Sequence, residues 1–188
     1  MFKFKKDIYA VWCRNAGTNI IGVKSAIEKY DIPWNLKEDA QRFWDWASHG
    51  DIVFGKRTYE AVPVKEIKDR RIFVFAYPKE KIKTVNKNLH TVVNSMEEFK
   101  NIIKNHNRDL YISGGSEIYL LFMKCNELKP NKILDSIYHS KIEYSKYGLK
   151  ANYININESV DILKKDYIVI NGKFYDDENV ELLEWKLK

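Results

Sequence analysis

The run Ile32-Pro33-Trp34-Asn35-Leu36-Lys37-Glu38-Asp39-Ala40-Gln41-Arg42-Phe43 sets one carboxylate on an apolar wall at a helix start, where a buried acid can do proton chemistry. Pro33 keeps its predecessor extended, and Asn35 is a favourable N-cap with Glu38 spaced to complete a capping box. The spacing predicts a helix from Leu36. At about 100° per residue, Leu36, Ala40, Phe43, Trp44 and Ala47 share one stripe toward the core, and Asp39 stands at its edge, one turn before Phe43. The plainer alternative is that Asp39 only complements the helix dipole from the first turn.

A second kind of chemistry is anion binding. Gly55 and Gly114-Gly115 end predicted strands directly before helices, and such crevices turn helix N-termini and backbone N–H groups toward phosphate. Lys56, Arg57 and Thr58 add two cations and a hydroxyl at the first of them. Alone, the glycine pair fits an ordinary tight turn and the basic pair a solvated surface. No G-x-G-x-x-G fingerprint is present, so a standard dinucleotide-binding domain of that type is not indicated.

These residues need a sheet to position them. Ile8–Trp12, Asp51–Gly55, Arg71–Ala76 and Asp109–Ile112 are near-continuous apolar runs, as strands covered on both faces require, with a shorter strand at Leu89–Val93. Helices are predicted after Gly55, over Ser95–Lys104 with a Ser95/Glu98 capping box, and from Ser116 to Met123. Lys132–Ile142, Asp166–Asn171 and Val180–Lys186 follow as strands, the last two an antiparallel pair around Gly172. The alternation defines an α/β fold: one domain over residues 1–188, a mostly parallel central sheet of about eight strands, flanking helices and a C-terminal antiparallel hairpin.

With 188 residues and 45% hydrophobic content, the chain suits one well-buried core and is short for two ordinary domains. No apolar run reaches a membrane span, and Met1–Asp7 lacks the apolar stretch of a signal peptide, so a cytoplasmic protein is expected. Cys13 and Cys125 lack metal-ligand spacing; neither a metal nor a disulfide is expected. The net charge of +6 comes from lysines interleaved with acids along the whole chain, which favours a solvated surface over a nucleic-acid face and draws anionic small molecules.

Three motifs in order resemble the dihydrofolate reductase family from Ile8 to about Ile142. They are Pro33-Trp34 with Asp39 and Phe43, Gly55-Lys56-Arg57-Thr58-Tyr59-Glu60, and Gly114-Gly115-Ser116-Glu117-Ile118-Tyr119. The resemblance implies reduction of 7,8-dihydrofolate to tetrahydrofolate by hydride transfer from NADPH, in service of one-carbon metabolism, with antifolates as inhibitors and a monomeric enzyme. It implies that Asp39 is the substrate acid and binds the pterin, with Ile8, Ile32, Phe43, Ile67, Ser113 and Ser140 around the substrate. Arg70, in Ile67-Lys68-Asp69-Arg70, would hold the glutamate α-carboxylate, and Ser140 would supply a hydroxyl near the acid. Ala10, Ile21, Gly22, Lys56, Arg57, Thr58, Ala76, Tyr77 and Gly114 to Tyr119 would meet the cofactor.

The chain departs from the family pattern in places. Ser113 stands where an apolar residue is usual, Lys56 replaces an arginine, and Ala76-Tyr77 replaces a serine pair or Ser-Arg. The segment Val23–Asp31 is longer than in compact bacterial relatives and is expected to form a lid, with no turn glycine or proline of its own from Val23 to Tyr30. Pterin or pyrimidine reductases of similar fold lack the Pro-Trp, Asp and Phe set, so that set favours folate.

Overall fold

A computed structural model describes residues 4–25, 30–64, 67–77, 80–148 and 150–188. Its main sheet has eight strands: β1 (Ile8–Asn15), β4 (Gly50–Gly55), β5 (Ile72–Phe75), β6 (His90–Val93), β7 (Asp109–Ile112), β8 (Lys132–Tyr138), β10 (Tyr167–Tyr175) and β11 (Val180–Leu187). Their order is β10-β11-β8-β1-β7-β4-β5-β6. The six strands from β8 to β6 are parallel, while β11 runs antiparallel to both β8 and β10. The expected α/β sheet with its C-terminal hairpin is therefore present.

Alternation along the strands divides the core between the two faces of the sheet. Ile8, Ala10 and Trp12 of β1 join Val53, Ile112, Tyr119 and Phe122 on one face, whereas Val11 joins Ile52, Phe54, Tyr111 and Leu134 on the other. Helices α3 (Met96–Ile103), α4 (Ser116–Met123) and α5 (Asn157–Asp166) contribute Phe99, Phe122 and Leu163 to the first face; α1 (Lys37–Ala47) and α2 (Lys56–Ala61) contribute Ala47 and Tyr59 to the second. Ser95 caps α3 by accepting from the Glu98 amide at 3.1 Å.

Several details differ from the sequence expectations. The hairpin turns at Asp176–Asn179, with Asn179 in the left-handed region at φ 54°, while Gly172 lies inside β10 opposite Leu183. Asn171-Gly172 has the composition of a turn, but the β-prone run continues past it to Tyr175 and sets the longer strand. A second sheet, β3-β2-β9, joins β2 (Ile20–Lys24) to β3 (Tyr30–Asp31) and to β9 (Asn152–Asn155). The two ends of the expected lid thus pair as strands, Val23 opposite Asp31 and Lys24 opposite Tyr30. Residues 26–29 of that segment lie outside the described residues.

Candidate active site

Helix α1 begins one residue later than its spacing suggests, with Leu36 as the N-cap residue. The apolar Leu36 side chain has no acceptor to offer, and the carboxylate that serves the first turn comes from the hairpin: Glu178 Oε2 accepts the Asp39 amide at 3.1 Å. A tertiary contact replaces the expected capping box. The helix stripe also has a different destination. Only Ala47 is buried: Ala40 lines a cleft, and Phe43 and Trp44 line it too while packing part of their surface against the second face.

That cleft, of about 980 Å³, opens at the carboxyl ends of β1, β4 and β7 and is walled by α1, α2 and α4. Asp39 lies on its wall with its side chain 14% exposed. Ser136 Oγ donates to Asp39 Oδ1 at 2.6 Å, and Arg42 Nη2 approaches the same oxygen at 3.4 Å. Cys13 completes the surround. Burial, and then the negative charges of Asp39 and Asp135, push its thiol well above the ordinary cysteine range, so it remains a neutral neighbour. Asp135 is fully buried on the opposite face of β8, where it accepts from Trp12 Nε1 at 2.6 Å and from Arg14 Nε and Nη2 at 2.8 and 2.9 Å. This fork ties β1 to β8 behind the site.

At the other end of the cleft, α2 and α4 start side by side. The Gly55 amide donates to the Gly114 carbonyl at 2.6 Å, and Gly114 takes φ +105°, a conformation that a side chain rarely adopts. An added Cβ at Gly114 would also stand 3.1 Å from Tyr119 Oη, which itself donates to the Val11 carbonyl at 2.6 Å. Burial raises the Tyr119 pKa, so the hydroxyl stays a donor across the neutral range. Lys56 lies 3.7 Å from Glu60 and 3.8 Å from Glu80, and Arg57 lies 3.7 Å from Glu117. Such loose, partly exposed pairs hold their cations weakly.

The cleft gathers most of the residues singled out from the sequence: Ile21, Gly22, Ile32, Asp39, Phe43, Lys56, Arg57, Thr58, Ala76, Tyr77, Ser113 and Gly114 through Tyr119. Five lie elsewhere. Ile8 and Ala10 are buried in the core nearer the amino end of β1, and it is Val11, Trp12 and Cys13 that reach the cleft. Ile67 packs with Val64 and Val74 under the second face. Arg70 forks onto Asp69 at 2.9 and 3.0 Å and donates to the Ala47 carbonyl at 2.6 Å, lining a separate polar hollow with Arg71 and Arg108. Ser140 stands just beyond β8, where its Oγ accepts from Asn179 Nδ2 at 2.9 Å. The hydroxyl beside Asp39 is that of Ser136. Ser136 and Ser140 share strand parity, so alternation alone does not choose between them; the point where β8 meets the cleft does.

A doubly covered α/β sheet with an acid on one wall of a carboxyl-end cleft and paired helix starts on the other defines a nucleotide-using class of enzyme fold. The model of the family described as "Dihydrofolate reductase" matches residues 8–161, and the chain belongs to that family. Among its relatives, a dihydrofolate reductase of Ureaplasma parvum serovar 3 is 22% identical over 143 residues, covering 74% of this chain and 85% of the relative. A dihydrofolate reductase of Lactococcus lactis subsp. lactis is 26% identical over 140 residues, covering 74% and 76%. The solved structure of dihydrofolate reductase from Enterococcus faecalis, complexed with NADP(H) and RAB-propyl, has the same fold: TM-score 0.69 over 98% of both chains at 17% identity.

Proposed function

We propose that the protein reduces 7,8-dihydrofolate to 5,6,7,8-tetrahydrofolate with NADPH, acting as one domain over residues 1–188 and as a cytoplasmic monomer that also binds antifolates and has no nucleic-acid partner. The observation that carries the reading is Asp39, a carboxylate beside Leu36, Ala40 and Phe43 on the cleft wall, with one oxygen already fixed by Ser136. Among the described residues no helix is long and apolar enough to cross a membrane.

The residues at the helix starts fit a phosphorylated dinucleotide. A Cβ on Gly115 would point at Thr58 Oγ1 from 3.4 Å and fill the gap between the two starts, while Lys56 and Arg57 supply cations at the mouth. Bound NADPH supplies the hydride. The chain's own contribution is alignment, exclusion of water and control of a proton. Phe43 and Ile32 offer apolar contact to a flat ring, and Ser136 holds the Asp39 carboxyl in one orientation. Asp39 in turn pairs with the amino group and ring nitrogen of the pterin and favours protonation next to the carbon that is reduced.

Purified protein should oxidise NADPH only when dihydrofolate is present. Asp39→Asn should remove most turnover and leave NADPH binding nearly unchanged, because the carboxylate acts on the pterin. Turnover within a few-fold of the parent across neutral pH would overturn the assignment.

A further inference from the structure

The C-terminal hairpin delivers a charged side chain to the acid-bearing helix. Its turn is pinned to the end of β8 by two contacts at Asn179: the His139 amide donates to the Asn179 carbonyl at 2.9 Å, and Asn179 Nδ2 donates to Ser140 Oγ at 2.9 Å. From that turn Glu178, with its side chain 10% exposed, reaches α1 twice. Oε2 accepts the Asp39 amide at 3.1 Å, and Oε1 accepts Arg42 Nη1 at 2.7 Å. The guanidinium lies over the Tyr175 ring, 4.1 Å from its centroid, and its Nη2 faces Asp39 Oδ1 at 3.4 Å. Three charges of alternating sign therefore sit in one half-buried row: Glu178, Arg42, Asp39.

We propose that Arg42 and Glu178 are positioning residues for the Asp39 carboxylate, Glu178 seating the guanidinium and capping the Asp39 amide so that the cation bears on Oδ1 and the carboxylate stays aimed at the cleft. This deepens the reading of Asp39 given above and rests on it. Ser136 and Arg42 both engage Oδ1, which keeps the carboxyl from turning as a ligand engages it, with the Cys13 thiol as a further neighbour. Every element packed around Asp39 contributes to the local charge. The β1 thiol of Cys13 and the β8 hydroxyl of Ser136 are neutral, and Asp135 behind them is neutralised by Arg14. Arg42 and Glu178 are the charged side chains bonded to Asp39 itself, with opposite sign. Lys173 stands 4.5 Å from the centroid of the same Tyr175 ring, Glu38 adjoins Asp39 in the first turn, and Asp31 lines the same cleft; these stay unchanged in the variants below.

The signature is a pair of opposed shifts. Removing the cation in Arg42→Gln makes protonation of Asp39 easier, and removing the anion in Glu178→Gln leaves the cation unopposed and makes it harder. The carboxyl ¹³C signal of Asp39, followed against pH in ligand-free protein, should move its midpoint in opposite directions in the two variants. The double variant should fall between them, and Arg42→Lys should stay near the parent. Dihydrofolate turnover should carry the same displacements in its pH profile, with NADPH affinity unchanged. Midpoints that stay put, or move together, overturn the proposal, even when thermal unfolding shows every variant folded. Because the NMR titration needs no turnover, absence of dihydrofolate reduction would count against the proposed function alone.

Discussion

At the scale of single residues, the site turns on which oxygen of Asp39 is held and by what. A hydroxyl at 2.6 Å from a half-buried carboxylate is a charge-assisted donor, worth about 1.5–3 kcal/mol against a neighbour that cannot donate. Ser136→Ala is expected to slow dihydrofolate reduction about tenfold and to lower the melting temperature by a few degrees, since alanine fills nearly the same buried volume but leaves the Asp39 oxygen without its donor. Steady-state kinetics beside thermal melting would check this; unchanged kcat and KM would show that the hydroxyl leaves the carboxyl free to turn. Sequence spacing locates Asp39 and Phe43 but not this partner. Nor does it locate Val11 and Cys13, because a strand of continuous apolar residues, Ile8 to Trp12, carries no mark of where the cleft begins. Contacts from Glu178 are further still from sequence reasoning, lying 139 positions along the chain from the amide they cap.

At the scale of elements, Arg70 belongs to the support of α1. It closes the helix by donating to the carbonyl of Ala47, the last helical residue, so its charge meets the negative end of the helix dipole. Its side chain is 12% exposed, and removing it leaves a carbonyl short of its partner. Arg70→Leu should cost about 1–3 kcal/mol and lower the melting temperature by roughly 3–10 °C, whether or not folate is present. A melting temperature within 1 °C of the parent would return Arg70 to a purely ligand-binding part, in which case the loss would appear only in the KM for dihydrofolate. The resemblance assigns Arg70 a substrate carboxylate, and the fork it would use is filled by Asp69. Elements with strong apolar periodicity are legible in the sequence: β1, β4, β5, β7 and the capped α3. The second sheet is not, because Ile20–Lys24 and Asn152–Asn155 are short, mixed in polarity and far apart in sequence, so that only tertiary pairing makes them strands. Helix α5 escapes for a related reason: Asn157–Asp166 buries Ser159, Val160 and Leu163, half-buries Ile162, and is polar at its other positions.

At the scale of the whole molecule, the cleft runs between two groups of elements that share the central sheet as its floor. One wall is α1 with the edge of the second sheet, through Tyr30, Asp31 and Ile154; the other is α2, α4 and the loops after β5 and β6, through Ala76, Asn94 and Ser95. A ligand that bridges the walls binds the folded chain and not the unfolded one, so it stabilises by mass action. NADPH at a hundred times its dissociation constant should add about 2.7 kcal/mol, which for a chain of 188 residues raises the melting temperature by roughly 5–10 °C. NADH at the same concentration should raise it less if, as proposed, Lys56 and Arg57 meet the additional phosphate; their acidic neighbours are 3.7–3.8 Å away and easily displaced. The double variant Lys56→Ala, Arg57→Ala should bring the two cofactors together. Equal shifts for NADPH and NADH in the parent protein would place the discriminating phosphate contact outside α2, and a flat melting curve with both would remove the dinucleotide from this cleft altogether.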